Sequence, residues 1–190
     1  MTGAVLADGT SAVVRRMAAA DRSSVAALFG AISEQNLYTR FFTLGSEAVT
    51  RHLEHLFADQ STALSYVVEV AGRLVGVADV EAVDPESSEI AFLVADDMHG
   101  LGIATLLLER AAHDARNSGV PWFVSDVLAI NHPMLQVFTD AGFLLEIDRE
   151  GTDVAVRMST TLSDEATAAT HLRRLSAEAR RLGHDSTSPR

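Results

Sequence analysis

One turn constrains the fold of this chain more than any other feature of its 190 residues. The stretch from His99 to Thr105 reads His-Gly-Leu-Gly-Ile-Ala-Thr and lies between a predicted strand and the best-defined predicted helix. Glycines let a backbone approach a ligand closely, and the first turn of a helix presents unpaired N–H groups and the positive end of a dipole. Such a turn can hold a pyrophosphate, although many folds with strands and helices use one for packing alone.

Hydrophobic periodicity on both sides of the turn predicts a single domain with the element order β-α-α-β-β-β-α-β-α-β-β. Residues before Ser11 are predicted to be loose, and the domain is predicted to span 11–160. Beyond it, 161–190 is rich in Ala, Arg and Glu and is predicted to be a helical C-terminal extension or linker. The predicted strands are 11–16, 64–70, 74–80, 89–94, 122–128, 143–148 and 154–159, and the predicted helices are 18–30, 46–58, 100–117 and 133–141.

Composition excludes several classes of function. The formal net charge of -11 argues against a protein that binds a nucleic-acid backbone, which needs a basic face. The absence of cysteine excludes disulfides, a thiolate nucleophile and Cys-bound zinc. No run of eighteen apolar residues occurs, and the N-terminus lacks the basic region of a signal peptide. We therefore expect a soluble, cytoplasmic protein with no membrane partner.

The histidines do not form a metal-ligand pattern. His52 and His55 lie three residues apart on one predicted helix, but no carboxylate-rich motif accompanies them. Both are interpreted as surface histidines, and no metal is predicted.

Two motifs carry a resemblance to a known family. In the turn, His99, Gly102 and Ala104 occupy the fixed positions of the pattern Gln/Arg-x-x-Gly-x-Gly/Ala, with histidine in place of Gln or Arg. Downstream, the segment from Asn131 to Phe143 contains Asn-His-Pro-Met, then Phe138 and Ala-Gly-Phe. From Ser11 to about Ser159 the chain resembles the GNAT superfamily of N-acetyltransferases.

The resemblance implies an α/β (α+β) GNAT fold, with a central mixed, mostly antiparallel sheet of six to seven strands flanked by about four helices. It also implies acetyl-CoA as co-substrate. In this family the strand before the turn splays from its neighbour, so that the pantetheine arm can pair with exposed backbone. The cofactor-binding residues that the resemblance implies are Phe92, Leu93, Val94, His99, Gly100, Leu101, Gly102, Ile103, Ala104, Thr105, Asn131 and Phe138.

Glu89 is the predicted general base. An attacking alkylamine has a pKa near about 10.4, so a carboxylate that takes its proton generates the neutral nucleophile at pH 7. Alternation places Glu89, Ala91 and Leu93 on one face of the strand, although a charged residue at a strand end is also typical of a solvated terminus. Many relatives carry a tyrosine general acid where this chain has Phe138, which has no proton to give.

The run from Ser33 to Phe42 ends in Tyr-Thr-Arg-Phe-Phe and resembles a segment of bacterial Pat-type protein lysine acetyltransferases. The implied partner is a protein with a reactive lysine, with an acyl-CoA synthetase favoured, and the implied parent chain carries a further domain. In a purely structural interpretation, Arg40 pairs with acidic groups while Phe41 and Phe42 anchor the helix in the core. A small-molecule amine acetyltransferase and a non-catalytic acyl-CoA sensor stay open as alternatives.

Overall fold

The computed structural model describes residues 2–43, 45–59 and 61–162, so the predicted C-terminal extension lies almost wholly outside the described residues. Eight strands form one sheet in the order β1-β2-β3-β4-β5-β6-β8-β7. The strands are β1 Thr2–Val5, β2 Ser11–Arg16, β3 Leu64–Val70, β4 Arg73–Ala82, β5 Ser87–Val94, β6 Trp122–Leu128, β7 Phe143–Glu150 and β8 Asp153–Leu162. The α-helices are α1 Arg22–Ala31, α2 Glu34–Phe41, α3 Ser46–Leu56, α4 Ile103–Asn117 and α5 His132–Asp140.

The sheet is antiparallel throughout except where β5 pairs with β6 in parallel. The crossover between those two strands is α4, as a parallel connection requires. The predicted hairpin of β3 and β4 closes through Ala71 and Gly72, whose φ angles of 49° and 77° are those of a two-residue turn that matches the strand twist. The mixed, mostly antiparallel GNAT-type sheet is therefore confirmed.

The helices cover both faces of the sheet. An added Cβ at Gly76 of β4 would meet Ile103 and Leu107, so this face of β4 lies against α4. The opposite face carries Asp79, which contacts side chains of α2 and α3. Aliphatic and aromatic side chains fill both layers, among them Val77 and Leu107, which are almost fully buried.

Gly76 lets α4 approach the sheet closely. A Cβ at this position would lie 2.6 Å from Ile103 Cγ2, which is closer than side-chain atoms pack. Ile103 is the first residue of α4, so the close approach fixes where the helix begins.

The structure adds two elements to the sequence-based prediction. Thr2–Val5 pairs with β2 along the outer edge of the sheet, so the fold begins before Ser11. Three helices, not two, precede β3, because Ser33 caps a separate helix by accepting a hydrogen bond from the Asn36 N–H. The part of the chain that the structure describes therefore has five α-helices and eight strands. None of the helices in the described ranges combines the length and the hydrophobicity that a membrane span requires.

Candidate active site

The centre of the sheet opens into a cleft between its two parallel strands. β5 and β6 pair only over Ser87–Glu89 and Trp122–Val124, and then separate. The space beyond the last pair is a cleft of about 920 Å³ that ends at the turn before α4. The splaying implied by the family resemblance is therefore present in the structure.

The backbone of β5 has free hydrogen-bonding groups on the side of this cleft. The Ala95 N–H donates to the Val75 carbonyl at 2.9 Å, so residue 95 faces β4. Because the direction alternates along an antiparallel strand, Leu93 also faces β4, whereas the backbone groups of Phe92 and Val94 point away from β4. The N–H and C=O of Phe92 and the N–H of Val94 are open to the cleft, while the Val94 carbonyl accepts a hydrogen bond from the Asn36 amide. An extended ligand with amide groups could pair with Phe92 and Val94 as a further strand does.

The turn that closes the cleft is made of backbone. Gly100 and Gly102 have φ angles of 75° and 85°, a left-handed conformation that favours glycine, and a Cβ at either would meet no atom within 4 Å. Gly102 is the N-cap of α4 and has no side chain to cap it, so the first N–H groups of the helix lack a side-chain partner. The Ala7 N–H donates to the Leu101 carbonyl at 3.1 Å and supports the turn from behind.

His99 connects the turn to α2. Its Nε2 lies 3.1 Å from the Val94 carbonyl oxygen and 3.3 Å from Asn36 Nδ2. The Asn36 amide also donates to the Val94 carbonyl at 2.9 Å, and Asp96 accepts from the Ser33 N–H at 2.7 Å. These contacts hold the start of α2 against the end of β5. The imidazole is thus engaged at the edge of the cleft.

Glu89 lies where the cleft meets a second, smaller pocket. This pocket of about 430 Å³ lies between α2, α3 and the strands β4 and β5. Arg40, Phe41, Glu89 and Ala91 line both spaces. The Glu89 carboxylate is exposed and has no hydrogen-bond or ion-pair partner among the described residues.

A buried polar cluster forms the floor of the smaller pocket. The Asp79 carboxylate is only 4% exposed and accepts hydrogen bonds from Ser65 Oγ at 2.7 Å, from His52 Nε2 at 2.9 Å and from Arg40 Nη2 at 3.3 Å. Burial acts to raise the pKa of Asp79, but the His52 hydrogen bond and the Arg40 charge outweigh it and hold the pKa below its usual range. The cluster therefore contains an ionised carboxylate that ties α2, α3 and β3 to β4.

Comparison with known proteins identifies the family. Residues 33–143, more than half of the chain, match the model of the acetyltransferase (GNAT) family. The chain belongs to the GNAT acetyltransferase family. The GNAT domain of S. lividans PAT is similar at 27% identity and a TM-score of 0.74, over 83% of this chain and 96% of that domain.

Two further GNAT structures share the fold at lower identity. One is yncA of Salmonella typhimurium with its cofactor acetyl-CoA, at 16% identity and a TM-score of 0.60, over 80% of this chain and 95% of that chain. The other is PaiA N-acetyltransferase of Thermoplasma acidophilum in complex with coenzyme A, at 14% identity and a TM-score of 0.58, over 78% and 98% of the two chains.

Most of the predicted cofactor contacts of this GNAT domain line the large cleft. Asn131 does so while its Oδ1 accepts a hydrogen bond from the Met134 N–H at 3.2 Å, so it also caps α5. The predicted residues on the cleft wall are Phe92, Val94, His99, Gly100, Gly102, Ile103, Ala104, Thr105 and Asn131.

Three of the predicted cofactor-binding residues do not line the cleft. Leu93 points its side chain into the core and its backbone toward β4. Leu101 packs against the core, and its carbonyl is bonded to Ala7. Phe138 is 1% exposed, with its ring centroid 6.0 Å from that of Phe92, so it supports the cleft from behind.

Two residues of the GNAT domain's candidate site differ from their sequence-based interpretation. His52 is not a surface histidine: its side chain is 13% exposed and its ring lies 5.3 Å from that of Phe41. Phe42 is not a core anchor: it is 44% exposed, because its left-handed φ of 54° ends α2 and turns the side chain outward. The described residues contain no cluster of His, Asp or Glu that could hold a metal ion.

Proposed function

We propose that this GNAT domain transfers the acetyl group of acetyl-CoA to a lysine side chain of a protein. One observation carries the proposal: the cleft between β5 and β6 ends at the glycine turn and meets a second pocket at the free carboxylate of Glu89. A thioester lying along the cleft and an amine entering the pocket would meet at that carboxylate.

The cleft is suited to the cofactor by its shape and its backbone donors. The open N–H groups at the start of α4 and the positive end of the helix dipole favour a pyrophosphate. The N–H and C=O of Phe92 and the N–H of Val94 suit the amides of a pantetheine arm. The yncA and PaiA structures, which hold acetyl-CoA and coenzyme A, support this assignment on the same fold.

Two groups of the protein take part in the transfer of the acetyl group. Acetyl-CoA supplies an activated acyl group, and Glu89 accepts a proton from the attacking amine. An N–H of β5 that faces the cleft stabilises negative charge on the carbonyl oxygen as it develops. Glu89 lines both spaces, which supports this role.

The leaving thiolate receives no proton from a tyrosine. Tyr38 and Tyr66 do not line the cleft or the pocket. Tyr66 donates its hydroxyl to Asp114, and burial together with the Asp114 charge raises its pKa to about 12. Because a thiol has a pKa of about 8.5, water supplies the proton.

Three features support a protein acceptor. The S. lividans PAT domain is similar at 27% identity over most of both chains. Phe42 and Ile130 line the cleft and are 44% and 62% exposed, which suits a surface that a partner protein covers. The net charge of -11 complements a basic patch around a lysine, and an acyl-CoA synthetase is the partner that the Pat-like run favours.

A small-molecule amine is the second candidate acceptor. The smaller pocket holds about 430 Å³ and is lined by the carboxylates of Glu81 and Glu89, which suit a compact cation. A pocket of this size accepts either a free amine or the end of a lysine side chain, so the choice depends on whether binding extends over the surrounding surface.

The test compares kcat/KM for a folded acyl-CoA synthetase, a peptide with the same lysine, and free lysine and polyamines, at 0.05 M and 0.5 M salt. We expect the folded protein to react best, because a surface patch adds affinity, and its rate to fall with salt as the attraction is screened. Mass spectrometry locates the acetylated lysine. A free amine that outperforms every folded protein would replace the protein acceptor with the small-amine function.

A further inference from the structure

His52 differs from the other histidine of the smaller pocket. His55 is half exposed at 48% and pairs with Glu81 at 2.9 Å, as a surface residue does. The His52 side chain is 13% exposed, and its ring is held between Phe29 at 5.7 Å and Phe41 at 5.3 Å. The fold thus fixes the plane of the His52 ring while leaving it on the wall of the pocket.

The cluster around His52 defines which nitrogen carries hydrogen. Asp79 accepts from Ser65, Arg40 and His52, and an ionised carboxylate can only accept. His52 Nε2 must therefore donate, which leaves the lone pair of the neutral ring on Nδ1. A buried carboxylate that orients an imidazole in this way also stabilises the charged ring once Nδ1 takes a proton.

Charged groups face His52 from several elements. Asp79 faces it from β4 and Arg40 from α2, and these two opposite charges offset each other. Its own helix adds Arg51 and His55 to the pocket, and the strands add Glu81 and Glu89. The aromatic neighbours Phe29 and Phe41 are uncharged.

The reaction requires more than one proton acceptor. When a lysine ammonium becomes an amide, two of its three N–H bonds break. One proton leaves before the nitrogen can attack, and the other leaves after the N–C bond has formed. One of these two protons is finally bound by the thiolate of coenzyme A, and the other proton is released to solvent.

We propose that His52, oriented by Asp79, is a second proton acceptor for the acceptor amine, in addition to Glu89. The N–H bond of the entering ammonium breaks, its proton moves to Nδ1, and the electron pair stays on the nitrogen. The imidazolium faces the Asp79 carboxylate until it returns the proton to solvent. As the N–C bond forms, the C–S bond of the thioester breaks and its electron pair leaves on the sulfur. Glu89, at the junction with the cleft, takes the proton that the nitrogen then loses and passes it through water to the thiolate of coenzyme A. This assignment rests on the proposed acetyltransferase function.

The kinetic test uses His52→Gln, whose amide can still donate to Asp79 but cannot accept a proton. With a folded acyl-CoA synthetase as acceptor, we expect kcat/KM at pH 7 to fall by about 10²-fold and the KM for acetyl-CoA to stay unchanged. The deficit should shrink as the pH approaches 10, because the free amine then forms without a base. His113→Gln, an exposed histidine of α4, should match the wild type throughout.

A deficit that is the same at every pH would mean that His52 only supports the fold, and would overturn the proposal, as would the absence of any deficit. The second test does not need an acceptor. Nitrogen-detected NMR of the imidazole rings should show His52 protonated on Nε2, with Nδ1 carrying the lone pair, in the neutral form. A ring protonated on Nδ1 would overturn the proposal. If the wild type acetylates no amine at all, the proposed function fails, while the NMR result still reports the hydrogen-bond direction between His52 and Asp79.

Discussion

The two sides of the candidate active site are built in different ways. The cofactor side consists of backbone: two glycines with positive φ, the first turn of α4 and the unpaired edge of β5. The acceptor side consists of side chains from α2, α3, β3 and β4 that meet around one buried carboxylate. One side depends on the conformation of a few consecutive residues, and the other on the packing of distant elements.

This difference has an energetic consequence. A backbone site has few buried charges, so a substitution there mainly affects the ligand. A buried ionic cluster supports the fold itself, because removal of one member leaves the others without a partner. We therefore expect substitutions on the acceptor side to affect stability most, and substitutions on the cofactor side to affect binding.

The largest effect is expected for Asp79→Asn. The substitution leaves the buried Arg40 charge without its counterion, and should lower the free energy of unfolding by about 3–5 kcal/mol. Urea denaturation measures this loss. Asp97→Asn is the matched control, because Asp97 pairs with Arg73 on the surface, and it should leave the free energy of unfolding close to the wild-type value.

The difference in stability between the wild type and Asp79→Asn should depend on pH. Asp79 has a folded-state pKa below its unfolded value, so its contribution is present above about pH 4 and is lost as the pH falls through the folded-state pKa. The stability gap between the wild type and Asp79→Asn should therefore narrow on acidification. A gap that widens on acidification would show that the carboxylate is protonated in the folded protein at pH 7, and a constant gap would show that folding does not shift its pKa; either result would contradict the ionised cluster.

Gly102→Glu tests the cofactor side. The new side chain would place a negative charge where the pyrophosphate is expected, and like charges in contact cost several kcal/mol, so acetyl-CoA affinity should fall by about 10²- to 10³-fold. Calorimetry measures the affinity. Gly119→Glu is matched for strain, since Gly119 has a φ of 81° and equally open space at the other end of α4. Equal affinities for the two variants would place the pyrophosphate elsewhere.

Glu89→Gln tests the junction between the two sides. Removal of the base should lower kcat by about 10²-fold while acetyl-CoA affinity stays near the wild-type value. Steady-state kinetics and calorimetry measure the two quantities. Glu86→Gln, on the exposed loop before β5, should keep full activity. Turnover of Glu89→Gln within about threefold of the wild type at pH 7 would assign the base to another group.

The smallest effect is expected for Gly76→Ala. The added methyl would meet Ile103 Cγ2 at 2.6 Å and push the start of α4 away from β4, which should cost about 1–3 kcal/mol. Gly30→Ala in α1, where a Cβ meets nothing within 4 Å, should instead stabilise the protein by about 0.5–1 kcal/mol. Thermal unfolding of both variants measures the contrast, and a neutral Gly76→Ala would show that the helix adjusts without cost.

The sequence allowed prediction of the parts that depend on neighbouring residues. The glycine turn, the helix after it and the β3–β4 hairpin each have a local pattern, and all three are present. The start of α4 was predicted at Gly100 but lies at Ile103, because Gly100 and Gly102 adopt positive φ. The face that Glu89 shares with Ala91 followed from alternation alone.

The acceptor side could not be predicted in this way. Asp79 lies 27 residues from His52 and 39 residues from Arg40, so their contact depends on how α2 and α3 pack on the sheet. The residues next to a histidine on a helix do not show whether its side chain is buried. Gly76 did leave a signal, since a glycine inside an otherwise apolar strand indicates the close approach of another element.

The separation of β5 from β6 gives this sheet four edges, where an open sheet normally has two. The inner pair faces a cleft and selects its occupant by the spacing of donors and acceptors along an extended chain, which does not depend on the identity of the residues that supply them. The side chains of β5 next to this edge can therefore change without loss of binding, provided that the strand keeps its path.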